Sequence, residues 1–247
     1  MSVYSKEFIV PYYDTDIENK LKTEMILAYM AETSSWHVDS LGIGYDILKD
    51  NNFAWLLNRW EVNISKHPKA KERIKVYTWT TEFNKFYAFR EFKMTLHNGE
   101  EIARASTIWI FVDSTTKKPK RIPEAMVNIF SKSENKMVER VIDFKKSFTL
   151  PYSNDKKIII RKSDIDNNNH VNNVKYLEWL IESTDDKLLK THSIKDISIE
   201  YKKEVLLGDT PIVSSYIREI KNGIIINYKI STRKTDNVFA QLELEVK

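Results

Sequence analysis

Two stretches of this chain carry the same residue pattern, and that duplication constrains the fold more than any other feature. Asp14-Thr-Asp16-Ile-Glu18-Asn-Lys20-Leu21 aligns with Asp164-Ile-Asp166-Asn-Asn168-Asn-His170-Val171 at an offset of 150 (164 − 14), and Glu32 then falls on Glu182. Farther along, the offset drops to 137 (213 − 76): Val76 falls on Val213, and Ile102-Ala103 on Phe239-Ala240. The first copy therefore holds 13 more residues (150 − 137) between its helix start and its sheet, much of the excess lying in 37–52.

Each copy reads as one helix followed by antiparallel strands. In the first, residues 3–13 suggest a short strand. Asp14-Thr-Asp16 is a turn and helix-start signal, because such short polar side chains bond nearby backbone N–H groups. Ile26, Tyr29, Met30 and Thr33 share one face of a helix ending near Val38. Residues 41–52 form a loop with room for a second short helix. Strands are expected over 53–64, 73–83, 86–97 and 101–113, with Asn98-Gly99 as a hairpin turn between the last two.

The second copy repeats this order. A strand at 157–161, carrying Ile158-Ile159-Ile160, leads into a polar turn. A helix over 171–190 follows, with Val171, Val174, Leu177 and Ile181 on one face, then strands near 195–205, 209–221, 224–233 and 238–246. The expected class is α+β: two long helices, each packed on its own curved antiparallel sheet. Pairing of edge strands would remove two exposed edges, so the sheets are expected to join edge to edge. The expected boundaries are 1–122, a connector at 123–150 with a short amphipathic helix, and 151–247.

Composition narrows the function. The 247 residues include no cysteine, which excludes disulfides, thiolate metal sites and cysteine nucleophiles among them. Met1-Ser-Val-Tyr-Ser-Lys-Glu-Phe8 lacks the basic and apolar regions of a signal peptide. No apolar run approaches the ~18 residues that span a membrane. A soluble cytoplasmic protein is the expectation. The net charge of +4 comes from 39 basic and 35 acidic residues, mostly interleaved as on a solvated surface. Basic groups at Lys117-Lys118-Pro-Lys120-Arg121, Lys145-Lys146 and Lys202-Lys203 suit an acidic partner. No nucleic-acid-binding motif accompanies them.

The chemistry concentrates at Asp166, Asn168 and His170, placed at or just before a helix start. Unpaired N–H groups and the helix dipole favour negative charge there. An acid, an amide and an imidazole in that setting suit chemistry on a carbonyl. His37, His67, His97 and His192 lack acid-rich ligand spacing, and no zinc site is expected. In the first copy, Glu18 and Lys20 replace Asn168 and His170, so one active site per chain is expected.

Asp164-Ile-Asp166-Asn-Asn168-Asn-His170-Val-Asn-Asn-Val-Lys-Tyr176-Leu-Glu-Trp179 closely resembles the signature of acyl-acyl carrier protein thioesterases. So does Ile199-Glu-Tyr-Lys-Lys-Glu204-Val205. Trp55-Leu-Leu-Asn-Arg59, Phe89-Arg-Glu-Phe92, Trp109-Ile-Phe-Val-Asp113 and Arg121-Ile-Pro-Glu124 extend the resemblance over nearly the whole chain. It implies a tandem (double) hotdog fold, and catalytic residues at Asp166, Asn168, His170 and Glu204. It also implies hydrolysis of fatty acyl-acyl carrier protein by water, without a cofactor. Plant relatives often carry cysteine after the motif's glutamate, where this chain has Val205; that departure favours attack by water.

The resemblance further implies that the first hotdog binds the acyl chain. Candidate pocket residues are Met25, Tyr29, Met30, Trp36, Trp55, Leu57 and Phe89. The expected partner is an acidic acyl carrier protein bearing a phosphopantetheine-linked acyl chain, with neither nucleic acid nor a membrane span. Monomer and homodimer both fit. The alternatives are an acyl-CoA thioesterase of the same fold and a non-catalytic acyl-binding hotdog protein.

Overall fold

In the computed structural model, which describes residues 3–130, 150–233 and 235–247, the chain divides into two compact units, Met1–Glu139 and Arg140–Lys247. Most of the expected 123–150 connector lies outside the described residues. Its described part holds a short helix, Glu124–Ile129.

The first unit is built on five antiparallel strands: β1 (Tyr4–Ile9), β2 (Phe53–Ile64), β3 (Arg73–Asn84), β4 (Tyr87–Leu96) and β5 (Glu101–Asp113). Their spatial order is β1-β3-β4-β5-β2. Asn98-Gly99 makes the β4–β5 turn as expected: Asn98 Oδ1 accepts from the Glu100 amide at 2.9 Å, and Gly99 takes φ +86°. Helix α1 (Thr23–Ser40) lies against β1 and β3 and buries Ile26, Leu27, Met30, Thr33 and His37 on one stripe. It outruns the expected end at Val38 and stops in a Schellman turn. Gly42 at φ +70° bonds the Asp39 carbonyl, and the Ile43 amide bonds Val38. A second short helix, α2 (Tyr45–Asp50), fills the 41–52 segment.

The second unit repeats the plan with β6 (Ser153–Lys157), β7 (His192–Tyr201), β8 (Ile212–Ile220), β9 (Gly223–Thr232) and β10 (Thr235–Val246), ordered β7-β10-β9-β8-β6. The strand expected at 157–161 lies earlier, at Ser153–Lys157, and shares only Lys157 with that range. Its last ladder contact is the Ile158 amide to the Pro211 carbonyl at 2.9 Å. Proline has no N–H to return, so the pairing stops there and Ile159 is left 81% exposed. The single helix expected over 171–190 is two: α4 (Asn173–Glu182) and α5 (Asp186–Thr191), after the short α3 at Glu124–Ile129. Asp185 breaks them by capping α5, accepting from the Lys187 amide at 2.7 Å.

Hydrogen bonds reproduce both repeat offsets. Leu21 N–H bonds the Pro68 carbonyl at 2.7 Å, and Val171 N–H bonds Val205 at 3.0 Å. Lys20 bridges to Lys69, and His170 to Leu206. Lys69 N–H bonds Glu72 Oε2, and Leu206 N–H bonds Asp209 Oδ2. In the first two pairs the turn residue shifts by 150 and its partner by 137, and in the third both members shift by 137. The duplication is one of backbone architecture as well as residue pattern.

Candidate active site

The second unit's turn is organised by Asp166. Its Oδ1 accepts the backbone N–H of Asn168 at 2.8 Å and of His170 at 3.3 Å. The Asp166 N–H bonds the His170 carbonyl at 2.8 Å, and Asn169 takes φ +62° to close the loop. Asn and Asp tolerate this left-handed region better than most residues. The twin turn is built the same way: Asp16 Oδ1 accepts from Glu18 and Lys20 amides at 2.8 and 3.0 Å, and Asn19 takes φ +59°.

The helix start lies farther on than expected. Asn172, and none of Asp166, Asn168 and His170, caps α4, its Oδ1 accepting from the Val174 amide at 3.0 Å. The amides of Val171, Asn172, Val174 and Lys175 are all engaged within the unit. These backbone groups therefore cannot act as the oxyanion donors that a bare helix start would offer. Asn168 offers an exposed side-chain amide at the turn, as do its neighbours Asn167 and Asn169.

Glu204 follows β7 in an irregular segment that brings it back to the turn. Its Oε2 lies 2.9 Å from His170 Nε2. The side chains are 19% and 35% exposed for His170 and Glu204, so water reaches both. A carboxylate on an imidazole nitrogen orients the ring. This pair can hold and move a proton.

Two residues without an assigned role in the sequence reading support this arrangement. Buried Tyr176 on α4 accepts the Val205 amide at its hydroxyl, 3.0 Å away, and buried Asn237 on β10 donates from Nδ2 to the Glu204 carbonyl at 3.1 Å. Tyr176 sits inside the recognised motif and was visible there. Asn237 carried no sequence signal, since an Asn beside a strand start reads as an ordinary turn residue.

At the twin turn the chemistry differs. Lys20 Nζ pairs with Glu18 Oε2 at 2.7 Å. The position matching Glu204 at offset 137 (204 − 67) is His67, whose Nδ1 lies 2.8 Å from the Leu21 carbonyl.

The seven candidate acyl-binding residues all fall in the first unit. Met25, Tyr29, Met30 and Trp36 lie on α1, Trp55 and Leu57 on β2, and Phe89 on β4. Met30 is fully buried, Tyr29 and Leu57 are buried, and Met25, Trp55 and Phe89 are half-buried. The Tyr29 hydroxyl donates to Asp14 Oδ2 at 2.6 Å, and its ring stacks on Phe8. Trp55 packs against Phe111 at 4.9 Å. Trp36 is 48% exposed, with the Lys6 ammonium 3.9 Å from its ring centre. Among the described residues no cluster of His, Asp and Glu could hold a metal ion, and no helix is long and apolar enough to cross a membrane.

Comparison with known proteins agrees with this architecture. Residues 1–130 match the acyl-ACP thioesterase N-terminal domain, and residues 149–246 match the C-terminal domain. The palmitoyl-acyl carrier protein thioesterase of Arabidopsis thaliana is 25% identical over 223 residues, covering 82% of this chain and 52% of that protein. The oleoyl-acyl carrier protein thioesterase 2 of the same plant is 25% identical over 222 residues, covering 83% and 60%. The chain thus spans about half the length of the curated relatives it matches. Among solved structures, an acyl-ACP thioesterase from Bacteroides thetaiotaomicron superposes with a TM-score of 0.85 at 20% identity, covering 98% of each chain. The 12:0-ACP thioesterase from Umbellularia californica gives 0.84 at 19% identity, covering 99% of this chain and 94% of that one. These likenesses establish the tandem hotdog fold. With both domain models matched in order along the sequence, the chain belongs to the acyl-ACP thioesterase family.

Proposed function

We propose that this protein hydrolyses the thioester between a fatty acyl group and acyl carrier protein, releasing free fatty acid and the carrier's thiol. The observation that carries the reading is the 2.9 Å contact between His170 Nε2 and Glu204 Oε2, made by two residues of the family's motifs. Glu204, with His170, holds a water molecule and takes its proton as the water oxygen adds to the thioester carbonyl carbon. The C–S bond then breaks, and the proton passes to the departing sulfur. Asn168 orients the water or the carbonyl. Asp166 fixes the backbone of both Asn168 and His170, a role supported by its two N–H contacts. No residue of this chain is a cysteine, which favours attack by water.

The first unit, in this proposal, binds the acyl chain and carries no second active site. The Glu18–Lys20 ion pair stands where the amide and imidazole stand in the second unit, which supports that division. An apolar pocket gains ~0.8 kcal/mol per buried CH₂, so its depth selects chain length. The carrier is an acidic protein, and exposed Lys203, next to Glu204, is suited to meet it.

The test is thiol release from carrier-protein thioesters of graded acyl length, run beside the matching CoA thioesters. Turnover with a chain-length optimum, and preference for the carrier protein, is expected. Tight binding without thiol release would make this an acyl-binding protein instead. Faster turnover of the CoA series would move the assignment to an acyl-CoA thioesterase.

A further inference from the structure

Glu204 has an unusual backbone setting for a residue whose carboxylate must be held to within a few tenths of an ångström. It lies beyond the end of β7, in an excursion from Lys202 to Leu206 that belongs to no strand or helix. No regular ladder fixes such a segment, and a general base that wanders loses the geometry on which proton transfer depends. The required order has to come from elsewhere.

It comes from two buried side chains on different elements. Asn237 is 1% exposed and sits where the β9–β10 register shifts, between Asp236 and Val238. A bulge turns its peptide out of the ordinary ladder. Its backbone carbonyl accepts the N–H groups of both Lys202 and Lys203, at 2.8 and 3.1 Å. Its Nδ2 donates to the carbonyls of Lys203 and Glu204, at 3.4 and 3.1 Å. Its Oδ1 accepts the Thr232 amide at 3.0 Å, which fixes the orientation of the amide group. On the other side, Tyr176 is 2% exposed and its hydroxyl accepts the Val205 amide at 3.0 Å. The Val205 carbonyl in turn accepts the Val171 amide, one residue past His170. The peptide on each side of Glu204 is thereby clamped, once from β10 and once from α4. Because Tyr176 and Val171, the residue after His170, are both bonded to Val205, the base and the imidazole share one frame.

We infer that Asn237 and Tyr176 are positioning residues for the proposed hydrolysis, acting through the Glu204 backbone and touching no substrate. This inference rests on the assignment of Glu204 to the reaction. Neither group faces the acyl chain or the carrier in this scheme, so their loss acts on kcat and spares KM.

The test compares Tyr176→Phe and Asn237→Ala with Tyr228→Phe, in the whole chain, on one carrier-protein thioester. Tyr228 is a matched control: it is equally buried in the same unit, and its hydroxyl lies 2.6 Å from Thr184 Oγ1, away from Glu204. Expected is a kcat loss of about 10- to 100-fold in Tyr176→Phe and Asn237→Ala, with KM within threefold. Tyr228→Phe keeps kcat within twofold despite a comparable fall in Tm. Asn237→Ser, which retains a small hydrogen-bonding side chain, recovers part of the loss. The inference is overturned if the two variants keep wild-type kcat, or if Tyr228→Phe loses kcat equally, which would reduce the effect to general destabilisation. Should Asn237→Ala not fold, Tyr176→Phe against Tyr228→Phe decides alone. Wild-type protein without thioesterase activity would overturn the functional assignment instead, a separate outcome read from the same assay.

Discussion

Glu204 Oε2 stands 2.9 Å from His170 Nε2 across 34 residues of chain (204 − 170), and the proposed chemistry depends on that pair. Replacing Glu204 with Gln keeps the side chain's shape and removes its ability to take a proton. A loss of roughly 10²–10⁴-fold in kcat is expected, with an unchanged circular dichroism spectrum and Tm within a few degrees. Near-full activity in Glu204→Gln would show that the base lies elsewhere.

Asp166 and Asp16 form the same turn in the two units, each accepting two backbone amides through one oxygen. Truncating either to Ala should cost about 1 kcal/mol of stability through the lost hydrogen bonds. Only Asp166→Ala should also reduce turnover, by roughly tenfold or more, because only its turn carries His170. Denaturant unfolding and steady-state kinetics on both variants check the contrast, and equal activity loss would break it.

His37 predicts an acid weakness in the first unit. It is 2% exposed, and Arg90 Nη1 lies 3.0 Å from its Nδ1. Burial, and secondarily the Arg90 charge, lower its pKa from 6.5 to about 4. Below pH 6.5 the unfolded chain therefore takes up a proton that the folded protein refuses, and stability falls as pH drops from 6.5 to 4. The full effect is about 3 kcal/mol. Urea unfolding across that range should show the decline, together with an imidazole of His37 that stays neutral by NMR until near pH 4. A His37 midpoint near 6.5 would contradict the assignment.

Chain-length preference should respond to the half-buried candidates of the first unit. Enlarging Met25 to Trp should shift the product profile to shorter acids by about two carbons, and trimming Phe89 to Ala should lengthen it, each CH₂ being worth ~0.8 kcal/mol. Fully buried Met30 is a poorer probe, because overpacking there costs about 1–3 kcal/mol of stability regardless of substrate. Product profiles unmoved across Met25, Trp55 and Phe89 variants would put the acyl pocket elsewhere.

Carrier recognition is testable at Lys203, which is exposed beside Glu204, the proposed base. Lys203→Glu should raise KM for a carrier-protein thioester about three- to tenfold at low salt and leave a short thioester analogue unaffected, with the difference shrinking as ionic strength rises. An equal rise in KM for both substrates would point to a contact with the acyl or pantetheine part.

Much of this protein was readable from its residues because the relevant signals are local. Strands β2 and β5 occur at the expected positions. Alternating apolar residues specify a half-buried strand wherever they occur, and Asn98-Gly99 specifies its own turn. The duplication was legible for the same reason, since Asp16 and Asp166 build their turns from side-chain–backbone contacts only two and four residues away. Tertiary structure alone decided what depends on distant partners. Pro211 ended β6 before the isoleucines at 158–160, and Asp185 split the expected long helix. The amides of Val171, Asn172, Val174 and Lys175 around the start of α4, which looked free for catalysis, are bonded to Val205, Asp164 and Asn172. Above all, the setting of Glu204 is made by Asn237 and Tyr176, 33 and 28 residues away in sequence (237 − 204 and 204 − 176). Residue type and spacing state which groups are present and what turn each can form. The distance between an acid and an imidazole is set by long-range pairing, which no local pattern encodes.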